Sequence, residues 1–336
     1  MNKENVSKIC NAFGLGQVQN GPTPVSGGLI HRMYKINTID GAFAIKELNA
    51  EIMKRDGIKE VYIQSEKISA IVKSKQIHAV TALLLNHSTP LLEIDGMIVM
   101  VFPWVEGKTL TSDQVIPEHT KKIGSMLAGI HTANIQCMEQ SIPEISSISN
   151  KQWQAHVKSG LNLQLPWAKA ANENLSHLIT WSEASREAKQ QLNKNLVISH
   201  RDLDVKNVLW TPNEEPVLID WEGAGFINPT AEAISMAIEW SGLTNILFKQ
   251  DLFSAALQEY SLHCDYLRQQ DIHHAIYSLI GGYLDWLEFN MSRSLNSSLT
   301  NEQQLGIEET QKTLQKLHFL HDNAHKIIEI SSKFSA

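Results

Sequence analysis

A polar loop enclosed by two apolar runs, residues 196–210 with the sequence LVISHRDLDVKNVLW, constrains this chain more than any other feature. Short β-branched and aliphatic runs on both sides are typical of strands, so the polar residues lie in a loop that a sheet holds in place. Loops held by a rigid scaffold are where binding and catalytic side chains concentrate. The sequence therefore predicts a site of chemistry in this loop.

The segment after the loop predicts a β-hairpin, because the apolar runs NVLW and VLID are separated by TPNEEP. If Trp210 faces Val217, then Asn207 faces Asp220, and directly opposite side chains in such a pair have Cβ atoms ~5 Å apart. The amide and carboxylate oxygens of these two residues are ligands that suit a hard cation such as Mg²⁺. Asp202 lies in the same loop and can reach across the site.

The first hundred residues favour a small antiparallel sheet with one helix. The segment RMYKINTIDGAFAIKEL alternates around Asp40-Gly41, a preferred dipeptide of tight hairpin turns. Within AFAIK, Ala44 and Lys46 point the same way, because side chains two apart in a strand share a face. Ala44 is small enough to leave room for a flat base, and Lys46 can reach phosphates.

Charge and composition divide the chain near Pro103, which ends an apolar strand. Residues 1–104 carry 11 basic and 9 acidic side chains, and the mostly helical remainder carries 18 and 27. The acidic second part admits either a cationic ligand or a solvated acidic surface. Nucleic-acid and membrane partners are not expected, because no strongly basic patch is present. Without an apolar leader or a membrane-spanning run, a cytoplasmic protein is expected.

Two motifs carry a resemblance to a known family. HRDLDVKN and LIDWEGAG resemble the catalytic loop and the metal-binding segment of the aminoglycoside phosphotransferase and choline kinase-like family, a branch of the protein-kinase-like fold. The resemblance implies a bilobal α+β fold, with a small antiparallel sheet lobe over 1–104 and a larger, mainly helical lobe over 105–336. The nucleotide would lie between them.

The resemblance also implies a role for each polar residue of the loop and hairpin. Asp202 would be the catalytic aspartate and His200 would support the loop, while Asn207 and Asp220 would hold Mg²⁺. Phosphoryl transfer consists mostly of positioning and charge neutralisation, so it needs a carboxylate that orients the attacking hydroxyl and metal ions that bridge the phosphates. The residue types of the loop fit that chemistry.

The nucleotide site is implied by the same resemblance, with ATP expected and GTP as the alternative. Lys46 would contact the phosphates and Glu66 would be its ion-pair partner. Glu60 is the alternative partner, because one sequence does not fix the register of the helix. The remaining nucleotide contacts would come from the short turn Ser26, Gly27 and Gly28, which replaces a G-x-G-x-x-G loop, and from hinge backbone groups of Val101 and Pro103.

The acceptor is expected to be a small molecule, because Asp204 stands two residues after Asp202, where Ser/Thr protein kinases carry a lysine. Asp204 is therefore also a candidate residue for binding the acceptor. In GGYLDWLEFN, Asp285 and Glu288 are three apart and share a helical face, which favours a cationic acceptor. An ordinary exposed acidic face is the alternative. The preceding Gly281 and Gly282 are expected to leave open space above that face.

The sequence thus favours an ATP-dependent phosphotransferase with an alcohol acceptor. The expected reaction moves the γ-phosphate of a Mg–nucleoside triphosphate to a hydroxyl of an aminoglycoside-like or amino-alcohol molecule. A metabolic kinase for choline, homoserine or a sugar is one alternative. A catalytically idle nucleotide-binding regulator is the other. The oligomeric state is not determined by the sequence.

Overall fold

The computed structural model describes residues 1–25, 30–136, 145, 147–296 and 300–336. The strands there are Val18–Val25 (β1), Arg32–Thr38 (β2), Gly41–Glu47 (β3), Leu92–Ile94 (β4), Met97–Pro103 (β5), Val197–Ser199 (β6), Val208–Trp210 (β7), Pro216–Leu218 (β8) and Gly225–Ile227 (β9). The helices are Lys3–Phe13 (α1), Ala50–Met53 (α2), Ile58–Ser74 (α3), Pro117–Thr132 (α4), Asn150–Asn162 (α5), Ala168–Glu173 (α6), Leu175–Leu192 (α7), Pro229–Trp240 (α8), Gln250–His263 (α9), Gln269–Leu295 (α10) and Thr300–Ser331 (α11).

The predicted α+β class is confirmed by a five-stranded antiparallel sheet in the N-terminal part and a larger helical C-terminal part. The chain forms two compact units. One contains Met1–Thr111, Gly129–Gln140 and Ile198–Gly225, and the other contains Ser112–Ala128, Ser141–Val197 and Phe226–Ala336. The polar loop and its hairpin therefore belong to the same unit as the sheet. The two-lobe division after residue 104 stays a prediction.

The sheet of the first unit has the strand order β1-β2-β3-β5-β4. The predicted hairpin is present, with Tyr34 opposite Ile45 and Ile36 opposite Phe43. Its two loop residues are Ile39 and Asp40, because Thr38 already pairs with Gly41. One face of the sheet packs on α1 in a core of buried side chains: Val6, Ile9, Cys10, Leu15, Ile36, Ile45, Val99 and Val101.

Helix α10 is the centre of the second unit, where it packs against α5, α7, α8 and α11. A Cβ atom added at Gly281 of α10 would lie 1.8 Å from Oγ of Ser185. Gly281 therefore permits a close approach of α7, and the open space that the sequence predicted above it is wrong. Gly282 meets nothing within 4 Å, as predicted. In the part of the chain that the structure describes, no helix combines the length and apolar character of a membrane span.

Helix α11 approaches α10 closely at Gly306, whereas Gly282 has no close neighbour. Substitution by alanine should therefore have opposite effects on the free energy of unfolding at these two positions. A Cβ atom at Gly306 would lie 2.7 Å from the backbone nitrogen of Ser294. We expect Gly306→Ala to lower the free energy of unfolding by about 1–2 kcal/mol, since backbone has to move. Gly282→Ala should raise it by about 0.5–1 kcal/mol, through helix propensity alone. Urea denaturation of both variants measures this, and equal effects would contradict the assigned helix contact.

Candidate active site

Lys46 lies on β3, on the sheet face opposite the α1 core. Residues that pair across an antiparallel ladder share a face, and Lys46 pairs with Met100 while Ala44 pairs with Phe102. Ala44 and Lys46 are each only 8% exposed. The predicted shared face of Ala44 and Lys46 is therefore present, with the lysine amine buried beside a small side chain.

The Lys46 amine is held by two carboxylates from the segment after β8. Its Nζ atom lies 2.7 Å from Oδ1 of Asp220 and 2.7 Å from Oε2 of Glu222. Burial by itself would lower the pKa of Lys46, but the charges of Asp220 and Glu222 outweigh burial and raise it. The lysine is therefore a buried, fully charged ammonium group, as a phosphate-binding residue has to be.

This arrangement corrects the predicted pairing of Lys46 with Glu66 or Glu60. The Glu66 carboxylate instead accepts the N–H of Ala82 at 2.7 Å and the hydroxyl of Ser69 at 3.2 Å. Burial raises the pKa of Glu66 to about 7, against the opposing effects of these hydrogen bonds and of the nearby charge of Lys46. Glu60 lies further toward the helix start and accepts a hydrogen bond from Gln64.

Glu222 is the site residue that sequence reasoning missed, although it belongs to the quoted segment LIDWEGAG. It lies in the short 3₁₀ turn Trp221–Gly223, which packs against α3. Burial would raise the pKa of Glu222, but a hydrogen bond from His31 and the charge of Lys46 lower it to about 2. A carboxylate two residues after Asp220, the predicted metal ligand, was the available signal.

His200 connects the polar loop to the segment that carries Asp220, and its predicted supporting role stays a prediction. The side chain is fully buried, and Nε2 lies 2.9 Å from the carbonyl oxygen of Ile219. Nδ1 accepts the N–H of Asp202 at 3.3 Å, and the ring packs on Trp221 at 4.5 Å between centroids. Because Nδ1 accepts, the ring proton lies on Nε2 and is donated to Ile219.

Asn207 fixes the position of Asp202. Its Nδ2 group donates to the backbone oxygen of Asp202 at 2.8 Å and to Oδ2 of the same residue at 2.9 Å. Asn207 is buried while Asp202 is exposed, so Asn207 contacts the carboxylate from the protein interior and the carboxylate stays accessible to solvent. Asp204 caps the turn Val205–Asn207 by accepting the N–H of Lys206. Burial raises the pKa of the Asp204 carboxyl group.

The register of the hairpin differs by one residue from the prediction. Val208 pairs with Leu218, and Trp210 pairs with Pro216 rather than with Val217. Pro216 begins β8, a position that tolerates its missing N–H, so the loop is one residue shorter than TPNEEP suggests. Asn207 consequently lies opposite Ile219, whose N–H it accepts at 3.0 Å. Asp220 is the next residue and is not the cross-strand partner of Asn207.

Strand pairing does not position Asp220, but the conformation of its backbone does. Asp220 has φ +63° and Arg201 has φ +69°, a left-handed conformation that non-glycine residues adopt infrequently. Asp220 follows the end of β8, where the left-handed turn directs its side chain to Lys46. Such conformations persist where the surrounding contacts hold them, and they concentrate at functional sites.

The donor set at Asp220 and Asn207 fits a hard divalent cation. Carboxylate and amide oxygens are ligands that Mg²⁺ accepts, and Mg²⁺ sites in phosphotransferases use one or two protein ligands with phosphate oxygens and water. Within the described residues, no group of three or more His, Cys, Asp or Glu side chains could hold a metal by itself.

The other predicted nucleotide contacts stay predictions. Ser26, Gly27 and Gly28 lie outside the described residues. In the hinge, the carbonyl oxygen of Val101 accepts the N–H of Leu83 at 2.7 Å. Pro103 has no N–H, so its backbone could offer a purine only a carbonyl oxygen.

The predicted acceptor carboxylates lie on α10, in the second unit, and both are already paired. Asp285 contacts Lys189 of α7 at 3.1 Å, and Glu288 contacts His156 of α5 at 2.9 Å. Asp285 is exposed and Glu288 is partly buried. Their predicted role in acceptor binding remains a prediction.

The buried Glu66 carboxyl generates a pH-dependent prediction. Its folded-state pKa of about 7 lies above its ordinary value of 4.5, so the stability that protonated Glu66 contributes is present below pH 4.5 and is lost as the pH rises through 7. Glu66→Gln keeps an acceptor for Ala82 without titrating. We expect the unfolding free energy of Glu66→Gln, relative to wild type, to rise by about 2–3 kcal/mol between pH 5 and pH 8. Urea denaturation at both pH values measures it; the same difference at both would contradict the assignment.

The chain is similar to known proteins in sequence and in fold. The model of the phosphotransferase enzyme family matches residues 23–265, and a search of curated proteins finds no match. Similar solved structures include the spectinomycin phosphotransferase APH(9)-Ia in complex with ADP and spectinomycin, with 13% identity, a TM-score of 0.67, and coverage of 99% of this chain and 98% of that chain.

Two further solved structures have the same fold. The choline kinase LicA from Streptococcus pneumoniae has 17% identity and a TM-score of 0.59, with coverage of 94% of this chain and 98% of that chain. The amicoumacin kinase hAmiN, in complex with AMP-PNP and Ca²⁺, has 10% identity and a TM-score of 0.60, with coverage of 94% of each chain. These likenesses show a kinase-like fold. The family model spans more than half of the chain and includes Lys46, Asp202 and Asp220, so the chain belongs to the phosphotransferase enzyme family.

Proposed function

We propose that this protein is a small-molecule kinase that transfers the γ-phosphoryl group of Mg–ATP to a hydroxyl of an amine-bearing acceptor. One observation carries the proposal. A buried ammonium with two carboxylates lies in the same compact unit as a loop whose aspartate is fixed by hydrogen bonds. Phosphoryl transfer needs these two elements, a cation for the phosphates and a carboxylate for the attacking hydroxyl.

Lys46 would hold the phosphates of the nucleotide. The amine lies on the sheet face that also carries Ala44, so a base could pack where that side chain is small. Asp220 and Asn207 would hold Mg²⁺, which, when bound, neutralises phosphate charge that develops during transfer. ATP is the proposed nucleotide, and competition with GTP would test that preference.

Asp202 would act on the acceptor. Its carboxylate is exposed, and the Asn207 amide and the His200 ring fix its backbone and side chain from the buried side. A carboxylate so held can orient a hydroxyl and accept its proton as the phosphoryl group is transferred. Asp202 itself needs no contact with the triphosphate.

The charge of the chain supports an amine-bearing acceptor. Residues 105–336 hold 18 basic and 27 acidic side chains, which favours the approach of cations. The similar structures named above include a choline kinase and a spectinomycin phosphotransferase. Choline is an alcohol with a quaternary ammonium group. Aminoglycoside-like and simple amino-alcohol acceptors are therefore both within the proposal.

The test of the proposal is an acceptor panel with Asp202→Asn as its internal control. The wild type should release ADP from Mg–ATP with at least one amine-bearing alcohol among spectinomycin, kanamycin, choline and ethanolamine, with homoserine and glucose as further arms. With that acceptor, Asp202→Asn should lose about a hundredfold or more in turnover, since it removes the proton acceptor. Its affinity for Mg–AMP-PNP should be unchanged.

Asp40→Asn is the matched control, because Asp40 is exposed in the β2–β3 turn and loses the same charge. Near-native turnover of Asp202→Asn would overturn the catalytic role of Asp202. Nucleotide binding without transfer to any acceptor would instead favour an idle regulator. Transfer only to homoserine or glucose, which carry no net positive charge, would favour a metabolic kinase over a kinase for a cationic acceptor.

A second prediction concerns the metal ligands. Asp220→Ala should abolish the gain in ADP affinity that Mg²⁺ provides, and Asn207→Ala should reduce it, because each removes an oxygen ligand. Calorimetry with ADP in Mg²⁺ and in EDTA measures this gain for wild type, both variants and the control Asp40→Ala. The same Mg²⁺-dependent gain in all four proteins would contradict the metal assignment.

A further inference from the structure

A buried histidine outside the recognised motifs contacts the ion cluster of Lys46. The side chain of His31 is 4% exposed, and its Nδ1 atom accepts the N–H of Asn49 at 3.0 Å. The ring proton therefore lies on Nε2. Nε2 lies 3.2 Å from Oε2 of Glu222 and 2.8 Å from the hydroxyl of Tyr62.

His31 and Lys46 both contact the same oxygen of Glu222. Oε2 of Glu222 lies 2.7 Å from Nζ of Lys46, so the carboxylate is clamped between an imidazole and an ammonium group. Asp220, the other partner of Lys46, is assigned to the metal under the proposed function. Glu222 is then the carboxylate that remains to orient Lys46, and its own orientation depends on His31 and Tyr62.

We propose that His31 is a positioning residue for nucleotide binding, whose Nε2 atom, 3.2 Å from Oε2 of Glu222, holds that carboxylate so that it directs the Lys46 amine toward the phosphates. The inference rests on the proposed function of the Lys46 site. His31 reaches the site from the segment before β2, while Tyr62 reaches it from α3 and Glu222 from the turn after Asp220. Three separate segments of one unit thus determine where one ammonium group points.

The variants separate a positioning role from a purely structural one. His31→Leu fills much of the ring volume without the hydrogen bonds, and Tyr62→Phe removes one hydroxyl. His31→Gln restores a donor at the position of Nε2, because its Nε2 atom stands the same number of bonds from Cβ. His78→Ala is the matched control, since His78 is exposed in the same unit.

The readout is the dissociation constant of AMP-PNP by calorimetry, in Mg²⁺ and in EDTA, together with the melting temperature. We expect His31→Leu to weaken binding about tenfold in both buffers, because it removes the polar contact to the Glu222 carboxylate and the hydrogen bonds to Asn49 and Tyr62. Tyr62→Phe should weaken it less, and His31→Gln should restore most of the wild-type affinity. His78→Ala should bind like wild type.

A double-mutant cycle gives the sharper test, because residues that act through one another are not additive. If His31 acts through Glu222, His31→Leu combined with Glu222→Gln should bind AMP-PNP no more weakly than Glu222→Gln alone. The same comparison with Tyr62→Phe decides the matter if His31→Leu does not fold.

The outcomes separate this inference from the proposed function. Wild type that does not bind AMP-PNP would overturn both. Wild type that binds, with His31→Leu and Tyr62→Phe unchanged in affinity, would overturn the inference alone. Additive losses in the cycle, or a lower melting temperature without a loss of affinity, would also overturn it, because both indicate a structural role only.

Discussion

The buried ammonium of Lys46 is the interaction on which the first unit depends. A buried charge without partners costs several kcal/mol, so the chain has to bring carboxylates to it. It does so with Asp220 and Glu222, which stand far from Lys46 in the sequence and reach it at 2.7 Å. The ion cluster therefore joins the sheet to the segment after β8 and fixes the geometry around which a phosphate would bind. Removal of either carboxylate would still leave the ammonium group with one counterion at 2.7 Å.

The polar loop is held by a second set of contacts that do not involve Lys46. His200 binds Ile219 and Asp202, and Asn207 binds the carboxylate and the carbonyl of Asp202. These bonds place an exposed aspartate beside the segment that carries Asp220. Preorganisation of this kind removes part of the entropy cost of aligning a hydroxyl with a phosphoryl group. Arg201 and Asp220 have left-handed backbone conformations, which are energetically unfavourable and which the surrounding contacts maintain.

The helical unit presents its acidic residues in a different way. Asp285 and Glu288 share a face of α10 as the sequence indicated, but each already contacts a basic partner on a neighbouring helix. A cationic acceptor would have to displace Lys189 or His156 to use them, and it would therefore gain less than by binding to an unpaired carboxylate. The net acidity of residues 105–336 therefore favours cations through long-range attraction more directly than through this pair.

Local pattern determined the features that depend on neighbours in the chain. The β2–β3 hairpin, the shared face of Ala44 and Lys46 and the helical segments follow from side-chain periodicity, and the structure has them. The supporting role of His200 followed only from the resemblance of its motif to the family, and it stays a prediction. Tertiary structure decided the rest. Pro216 entered β8 and moved the hairpin register by one residue, because the closure of a turn depends on backbone conformation that composition does not fix. The Glu66 carboxylate accepts the N–H of Ala82, and Lys46 contacts Glu222 instead of Glu66. Which carboxylate meets a buried lysine depends on packing between distant segments, and no periodicity within either segment carries that information.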